Sequence, residues 1–351
     1  MRALAFVAVL ALASAPGCTC SKDAETPKAA TQESPANDSG GDAEHSGEPL
    51  VDLPALAYVP GDAELVAHVD LRRLFASPLW QANQGLMTED PEAKRTLDAL
   101  AACDLSLDAL KGIDLAVDDA GSRVMVSLEG AGVGERARLG CIGDKLFDGD
   151  GERWAITEAD GATLLKLDGG DAIGHVVAAD RVVFASRGWD SAVIERIAGG
   201  GRSPATGTLG ETLAALDTKR AIWFAGRLPA LAGQAPNLRS VSGAIDLDDG
   251  LALELGMVAA SPELAGEIRG ELDRRLKNLR GRLAKAALPE AALDRVELNV
   301  EGSTLRVRAS LAIDEIKAIR ALLDRAGAAD EAPASADGAG EKAPEAPEDA
   351  H

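Results

Sequence analysis

Apolar and polar positions alternate most clearly between Val241 and Gly327. Val241, Ile245 and Leu247 lead into Asp248-Asp249-Gly250, and Leu251, Leu253, Leu255 and Met257 return at period two. Two alternating runs about an Asp-Gly pair predict a β-hairpin, because so tight a turn needs a residue that tolerates positive φ. Ser261-Pro262 then opens a helix: the Ser side chain can accept from a free N–H of the first turn, and the proline has no N–H to leave unpaired. Leu264, Ile268, Leu272, Leu276, Leu279 and Leu283 recur every three or four residues and form one apolar stripe along it. Val296, Leu298 and Val300, the turn Glu301-Gly302-Ser303, and Leu305, Val307 and Leu311 predict a second hairpin. Ile313, Ile316, Ile319 and Leu323 predict a last amphipathic helix that Gly327 closes. The unit is strand, strand, helix, used twice.

The same signals organise the chain before Val241. Leu65 to Val69 predicts a strand, Asp70 the N-cap of a short helix from Leu71 to Phe75, and Ser77-Pro78 the start of another toward Met87. A helix over Glu92 to Ala102 turns Leu97 and Leu100 inward. Three hairpins are expected about Asp118-Asp119-Ala120-Gly121, Asp160-Gly161 and Ala179-Asp180. A helix from Asp190 to Ala198 ends in Gly199-Gly200-Gly201, Leu209 to Leu216 is helical, and Ala221 to Ala225 reads as a buried strand. Hairpins with interspersed helices and no regular βαβ alternation predict an α+β fold, its mostly antiparallel sheets covered by amphipathic helices. Two similar lobes are expected, residues 58–200 and 201–327, joined near residues 199–207.

The flanks differ in kind. Met1-Arg2 precedes an apolar run from Ala3 to Ala13, too short for a membrane span of about 20 residues but suited to a signal peptide. Ala15-Pro16-Gly17-Cys18 follows, a small residue before a Cys, and this resembles the lipobox of bacterial lipoproteins. The chain departs from that pattern in having Ala15 where the family usually has Leu, and in Pro16. The resemblance covers the first twenty or so residues and implies that residues 1–17 are removed and that Cys18 becomes a lipidated N-terminus. Ala13-Ser14-Ala15 also fits ordinary secretion, and Cys20 is open as the modified residue or as a partner for Cys18. Lipidation implies a bacterial cell-envelope protein anchored to the outer membrane, on its periplasmic or outer face. Residues 18–57 and 328–351 have too few apolar side chains to offset the entropy of ordering and read as an acidic tether and an acidic tail. The stretch from Pro60 to Trp80, PGDAELVAHVDLRRLFASPLW, is similar to the opening of uncharacterised secreted proteins of high-GC bacteria, a resemblance that implies no activity.

Charge narrows the partners. The chain carries a formal charge of −21, which removes the basic footprint that nucleic-acid binding needs. Much of it lies in the flanks: eight acids against two lysines over residues 21–57, and seven acids against Lys342 over residues 328–351. The helix from Pro262 to Leu288 is the exception, with Arg269, Arg274, Arg275, Lys277, Arg280, Arg282 and Lys285. That pattern fits a solvated outer face opposite the Leu stripe, and an acidic partner would meet it first.

No catalytic constellation, cofactor motif or metal-ligand set emerges. Gly199-Gly200-Gly201-Arg202-Ser203 lacks the Lys-Ser/Thr of a phosphate loop, and no G-x-S-x-G elbow occurs. His68 and Asp70 share one face of a strand, but two ligands make no metal site and Asp70 has a cap to form. His175 stands alone among apolar strand residues. Asp148, Asp150 and Glu152 alternate with glycine, yet Arg153 stands where a calcium loop needs its turn glycine. Asp246, Asp248 and Asp249 are accounted for as turn residues. Cys103 and Cys141, an even count in an exported domain, are expected to pair, the alternative being two buried thiols. The reading is a non-catalytic binding or scaffolding domain tethered to the envelope, its partner an envelope protein. The alternative is a carrier of a lipid or other hydrophobic ligand, with the Leu264–Leu283 stripe facing the ligand.

Overall fold

The structure is a computed structural model and describes residues 53–147, 154–159, 161–167, 170–207, 209–227, 238–285 and 291–318. Residues 1–52, with Cys18 and His45 among them, residues 328–351, and Asp148, Asp150 and Glu152 lie outside these residues; residues 53–57, expected as the end of the tether, are instead ordered, because Leu56 is buried in the core and Leu53 and Ala55 pack against it.

Twelve strands form one sheet. They are β1 (Leu65–Asp70), β2 (Leu110–Val117), β3 (Val124–Gly130), β4 (Trp154–Ala159), β5 (Ala162–Leu167), β6 (Ala172–Ala178), β7 (Arg181–Ser186), β8 (Ile222–Arg227), β9 (Leu238–Asp246), β10 (Gly250–Ala259), β11 (Glu297–Glu301) and β12 (Thr304–Ala312). Their order is β11-β12-β10-β9-β8-β1-β2-β3-β7-β6-β5-β4, and every pairing is antiparallel. The fold is α+β, built from hairpins, as the alternation predicts.

The halves expected as lobes join edge to edge at β1 and β8, where Val66 faces Ala225 and His68 faces Trp223. Outward from this seam the topology repeats. β1-β2-β3 is followed by a helix and by strands that return to place β7 beside β3; β8-β9-β10 is followed by a helix and a hairpin that places β12 beside β10. Residues 199–207 are not a free linker, since Ser203 and Pro204 are buried.

Helices α1 (Leu71–Ala76), α2 (Pro78–Glu89), α3 (Pro91–Ala102) and α4 (Arg136–Phe147) cover one face of the first half. The caps are those read from sequence: Asp70 accepts from the Arg73 N–H and Ser77 from the Trp80 N–H. Asp90 adds a further cap, to α3, through the N–H groups of Glu92 and Ala93. Ala93 and Ala99 are its most buried residues, with Leu97 and Leu100 half-buried. Helix α4 is not among the elements that the apolar pattern predicts, because Gly140 and Gly143 each lower helix propensity by about 1 kcal/mol relative to alanine. Its Leu139 and Ile142 nevertheless pack inward, and its Cys141 is bonded to Cys103 at the end of α3 with Cα atoms 5.7 Å apart. Val69, Leu71, Leu105 and Val133 complete this core.

The opposite face is covered by the segment 53–63, by α5 (Asp190–Ile197) and by α6 (Gly210–Ala214). Leu56, Val59, Trp189, Val193, Leu209 and Leu213 from these elements pack on Val66, Met125, Val183 and Trp223 of the sheet. The long helix α7 (Pro262–Lys285) and the short α8 (Ala291–Asp294) belong to the second half, and a further helix begins at residues 313–318. Helix α7 packs on β10, β11 and β12. It lies on the side of Leu298 and Val300, which are half-buried while Glu297, Asn299 and Glu301 are exposed.

The β9–β10 turn shows why glycine follows the aspartates. Gly250 has φ +138°, and a Cβ there would stand 2.3 Å from the Leu311 carbonyl oxygen. Gly250→Ala is therefore expected to cost about 1–3 kcal/mol, read from urea unfolding; an unchanged midpoint would refute the requirement. The disulfide closes a separation of 38 residues. Reducing it is expected to lower the unfolding free energy by about 4 kcal/mol on chain-entropy grounds, and superimposable urea curves with and without reductant would refute this.

Candidate functional site

Strand β2 reverses the inside-outside assignment that its sequence invites. Ile113, Leu115 and Val117 are half-buried, whereas Gly112, Asp114 and Ala116 between them are buried. Asp114 thus lies under the layer formed by segment 53–63, α5 and α6, where a carboxyl needs partners. The imidazole Nδ1 of His68 is 2.7 Å from Asp114 Oδ1, and Arg181 Nη1 stands 3.7 Å from Oδ2. Arg181 also binds Glu129, and Lys111 lies 3.5 Å from Glu129 and 3.6 Å from Asp180. The His68 ring stacks on Trp223 at 5.6 Å, and the Arg181 guanidinium lies over Tyr58 at 5.4 Å. Burial pushes the Asp114 carboxyl up from its ordinary value, against the opposing pull of His68 and Arg181.

Two further polar groups tie the covering elements down. Asp118 accepts from the Ser122 and Arg123 N–H groups and from Arg123 Nε at 2.9 Å, while Arg123 Nη1 reaches Asp62 at 2.6 Å. The Arg123 guanidinium lies 5.2 Å from the ring centre of buried Trp189. Burial alone would raise the Asp118 carboxyl; the Arg123 N–H and guanidinium and the Ser122 hydroxyl and N–H hold it far below its ordinary value. At the other end of the sheet Asp246 accepts from Arg220 at 2.7 Å, and Arg73 bridges it to Asp248. Burial opposes ionisation there too, but the Asp248 N–H and the Arg220 and Arg73 charges keep the Asp246 carboxyl below its ordinary value.

A cleft of about 930 Å³ opens beside this layer, where α6 ends and, among the described residues, no element covers β9, β10 and β12. Its floor is built from small residues, Ser240, Ser242, Ala244 and Gly256, and Thr212 and Leu216 stand at the α6 side. Arg227, Arg239 and Arg306 also line it. A volume of this size suits a small organic ligand.

The residues singled out in the sequence do not converge. Asp70 caps α1, so the His68–Asp70 pair is split and His68 has Asp114 as its partner instead. His175 Nε2 lies 2.7 Å from Asp190 Oδ1, a satisfied sheet residue. Of the apolar stripe, Leu264, Ile268, Leu272 and Leu276 are half-buried and Leu279 is 42% exposed, and the side chain of Leu283 lies outside the description. The cleft is on the opposite face of the sheet from α7, lined by residues that the sequence left unmarked. Its only sequence signal is the Ser and Gly content of β9 and β10, which weakens a strand and leaves space above it. Among the described residues no group of three or more His, Cys, Asp or Glu side chains could hold a metal ion, and no helix is long and apolar enough to cross a membrane.

No protein-family model and no curated protein matches the chain. Among solved structures, crystal form III of TP0453 is similar with a TM-score of 0.50 and 12% identity, over 77% of this chain and 98% of that one. Crystal form I of TP0453 gives a TM-score of 0.47 and 13% identity, over 77% and 98%. The likeness is one of fold alone: an α+β chain of the same overall plan.

Asp118 and Asp246 have folded-state pKa values below those of the unfolded chain. Their contribution to stability is present above the ordinary carboxylate pKa of about 4 and is lost as pH falls below it. Asp114, shifted upward, acts in the opposite sense and is relieved by acid. Asp118→Asn is expected to flatten the acid limb of a stability–pH profile below about pH 4, and a limb as steep as that of the parent chain would refute the assignment.

Proposed function

We propose that the chain is exported, becomes anchored to the bacterial envelope through a lipidated Cys18, and acts there by binding or scaffolding rather than by catalysis. The observation that carries the reading is the Cys103–Cys141 bond, since such bonds persist in oxidising compartments outside the cytosol. It agrees with the signal-like run from Ala3 to Ala13 and with the acidic tether that would hold the domain off the membrane. The cleft beside α6 is the binding region in this reading, with an envelope component as its partner. A second reading, a carrier of a lipid or other hydrophobic ligand, draws on the α7 stripe, in which Leu264, Leu272 and Leu276 are half-buried and Leu279 is exposed rather than sealed against the sheet.

Cys18→Ala is expected to move the protein from the membrane fraction to the soluble fraction; retention on the membrane would refute lipidation at that residue. A native mass spectrum of the protein purified without detergent separates the two binding readings. An apolar adduct lost on denaturation would favour the carrier, and a bare chain would favour a protein partner.

A further inference from the structure

We infer that the cleft beside α6 is a site for a small ligand bearing a carboxylate or phosphate oxyanion, with Arg306 and Arg227 as its principal contacts. The inference rests on the cleft being the binding region proposed above, and it adds the ligand's chemistry. Glu254 and Asp217 line the cleft, but each is already paired with an arginine outside it: Glu254 with Arg308 at 3.0 Å, Asp217 with Arg220 at 2.9 Å. Glu211 is the remaining acid of the lining and is exposed. The arginines of the cleft are served less well. Arg227 stands 3.8 Å from Glu64, Arg306 Nε stands 3.9 Å from Glu301, and Arg239 donates to the Ala260 carbonyl at 3.0 Å with no carboxylate in contact among the described residues. Arg306 Nε is moreover buried with no hydrogen-bond partner, a state that costs free energy unless an acceptor arrives.

The register brings these groups together. Arg306 sits opposite Gly256, which sits opposite Ser242; Arg227 sits opposite Ser240, which sits opposite Val258 and then Thr304. The two arginines therefore occupy adjacent same-face rows of the sheet, at opposite sides of a floor of hydroxyls and glycine. A Cβ at Gly256 would stand 2.9 Å from Ser242 Oγ, so glycine there keeps the floor low. Planar guanidinium groups match carboxylate and phosphate oxygens in pairs, and hydroxyls can donate to what remains. In a chain of formal charge −21 such a cleft would select anions locally against the overall field.

The test is calorimetric titration of the full chain at low salt with inorganic phosphate and, separately, with citrate. One equivalent of at least one of them is expected to bind with Kd below about 1 mM, more weakly as salt rises. The preferred probe tells phosphate from carboxylate chemistry. Arg306→Gln and Arg227→Gln are each expected to weaken binding about tenfold or more. Arg306→Lys, which keeps the charge and loses the planar fork, should fall between. Arg187→Gln, at an exposed turn after β7, should bind as the parent chain does. Urea unfolding of each variant identifies any that fails to fold, and Arg227→Gln then serves for Arg306→Gln. Binding of neither probe, or equal binding by the parent chain and both cleft variants, overturns the inference. A neutral adduct in the native spectrum that survives Arg306→Gln would overturn the oxyanion assignment and leave the binding role intact. Absence of both adduct and titrant binding would remove the cleft as a small-molecule site.

Discussion

Pairing of β1 with both β2 and β8 is the interaction on which the rest of the structure depends. Without the β1–β8 ladder the chain would be two smaller sheets with exposed edges, each a site for unwanted strand addition. With it, ten backbone-paired residues at the seam make one sheet, five from each strand. The seam is then covered on one face by elements from both sides: Leu56 and Val59 precede β1, Val193 belongs to the first half, and Leu209 and Leu213 belong to the second. The halves share a core, so neither keeps its burial if the other is removed.

Covering both faces of the central strands has a consequence for their polar residues. A strand with one wet face can leave every second side chain in water, but β2 and β3 have none. Asp114 and Ser127, paired across those strands, are buried, while Ile113, Leu115 and Leu128 beside them are half-buried and Val126 is buried. The His68–Asp114–Arg181–Glu129 chain satisfies Asp114 within the covered layer. Its members come from four strands, and the aromatic rings of Trp223 and Tyr58 close two of its sides. Arg123 does the same at the rim, joining the β2–β3 turn to Asp62 and to the Trp189 ring. Such groups contribute register and orientation more than net stability, since desolvation offsets most of what their attraction supplies.

The second half is covered unequally. Helix α7 takes one face with its Leu stripe, but over residues 274–281 all but Leu276 are exposed, Leu279 among them. Toward the far edge the other face has, among the described residues, only α6, a helix of five residues, and beyond it Ser240, Ser242 and Gly256 form the floor of the cleft. The proposed binding region lies where the described covering layer ends.

The sequence by itself determined the local structure: both C-terminal hairpins, the caps at Asp70, Ser77 and Ser261, the glycine turns and the α+β class. These depend on spacings of two to four residues and on backbone tolerance, which neighbouring residues decide. It also carried the pairing of Cys103 with Cys141, from count and compartment alone. Helix α4 stayed hidden because its glycines mute the helical signal. The tertiary structure decided what depends on residues far apart in the chain. That the halves form one sheet, that Asp114 lies inside while Leu115 is only half-buried, that His68 pairs with Asp114 rather than acting with Asp70, and that three arginines border one cleft all follow from strand order. Strand order is set by which covering elements bury the most apolar surface together, and period-two alternation carries no record of which face that will be.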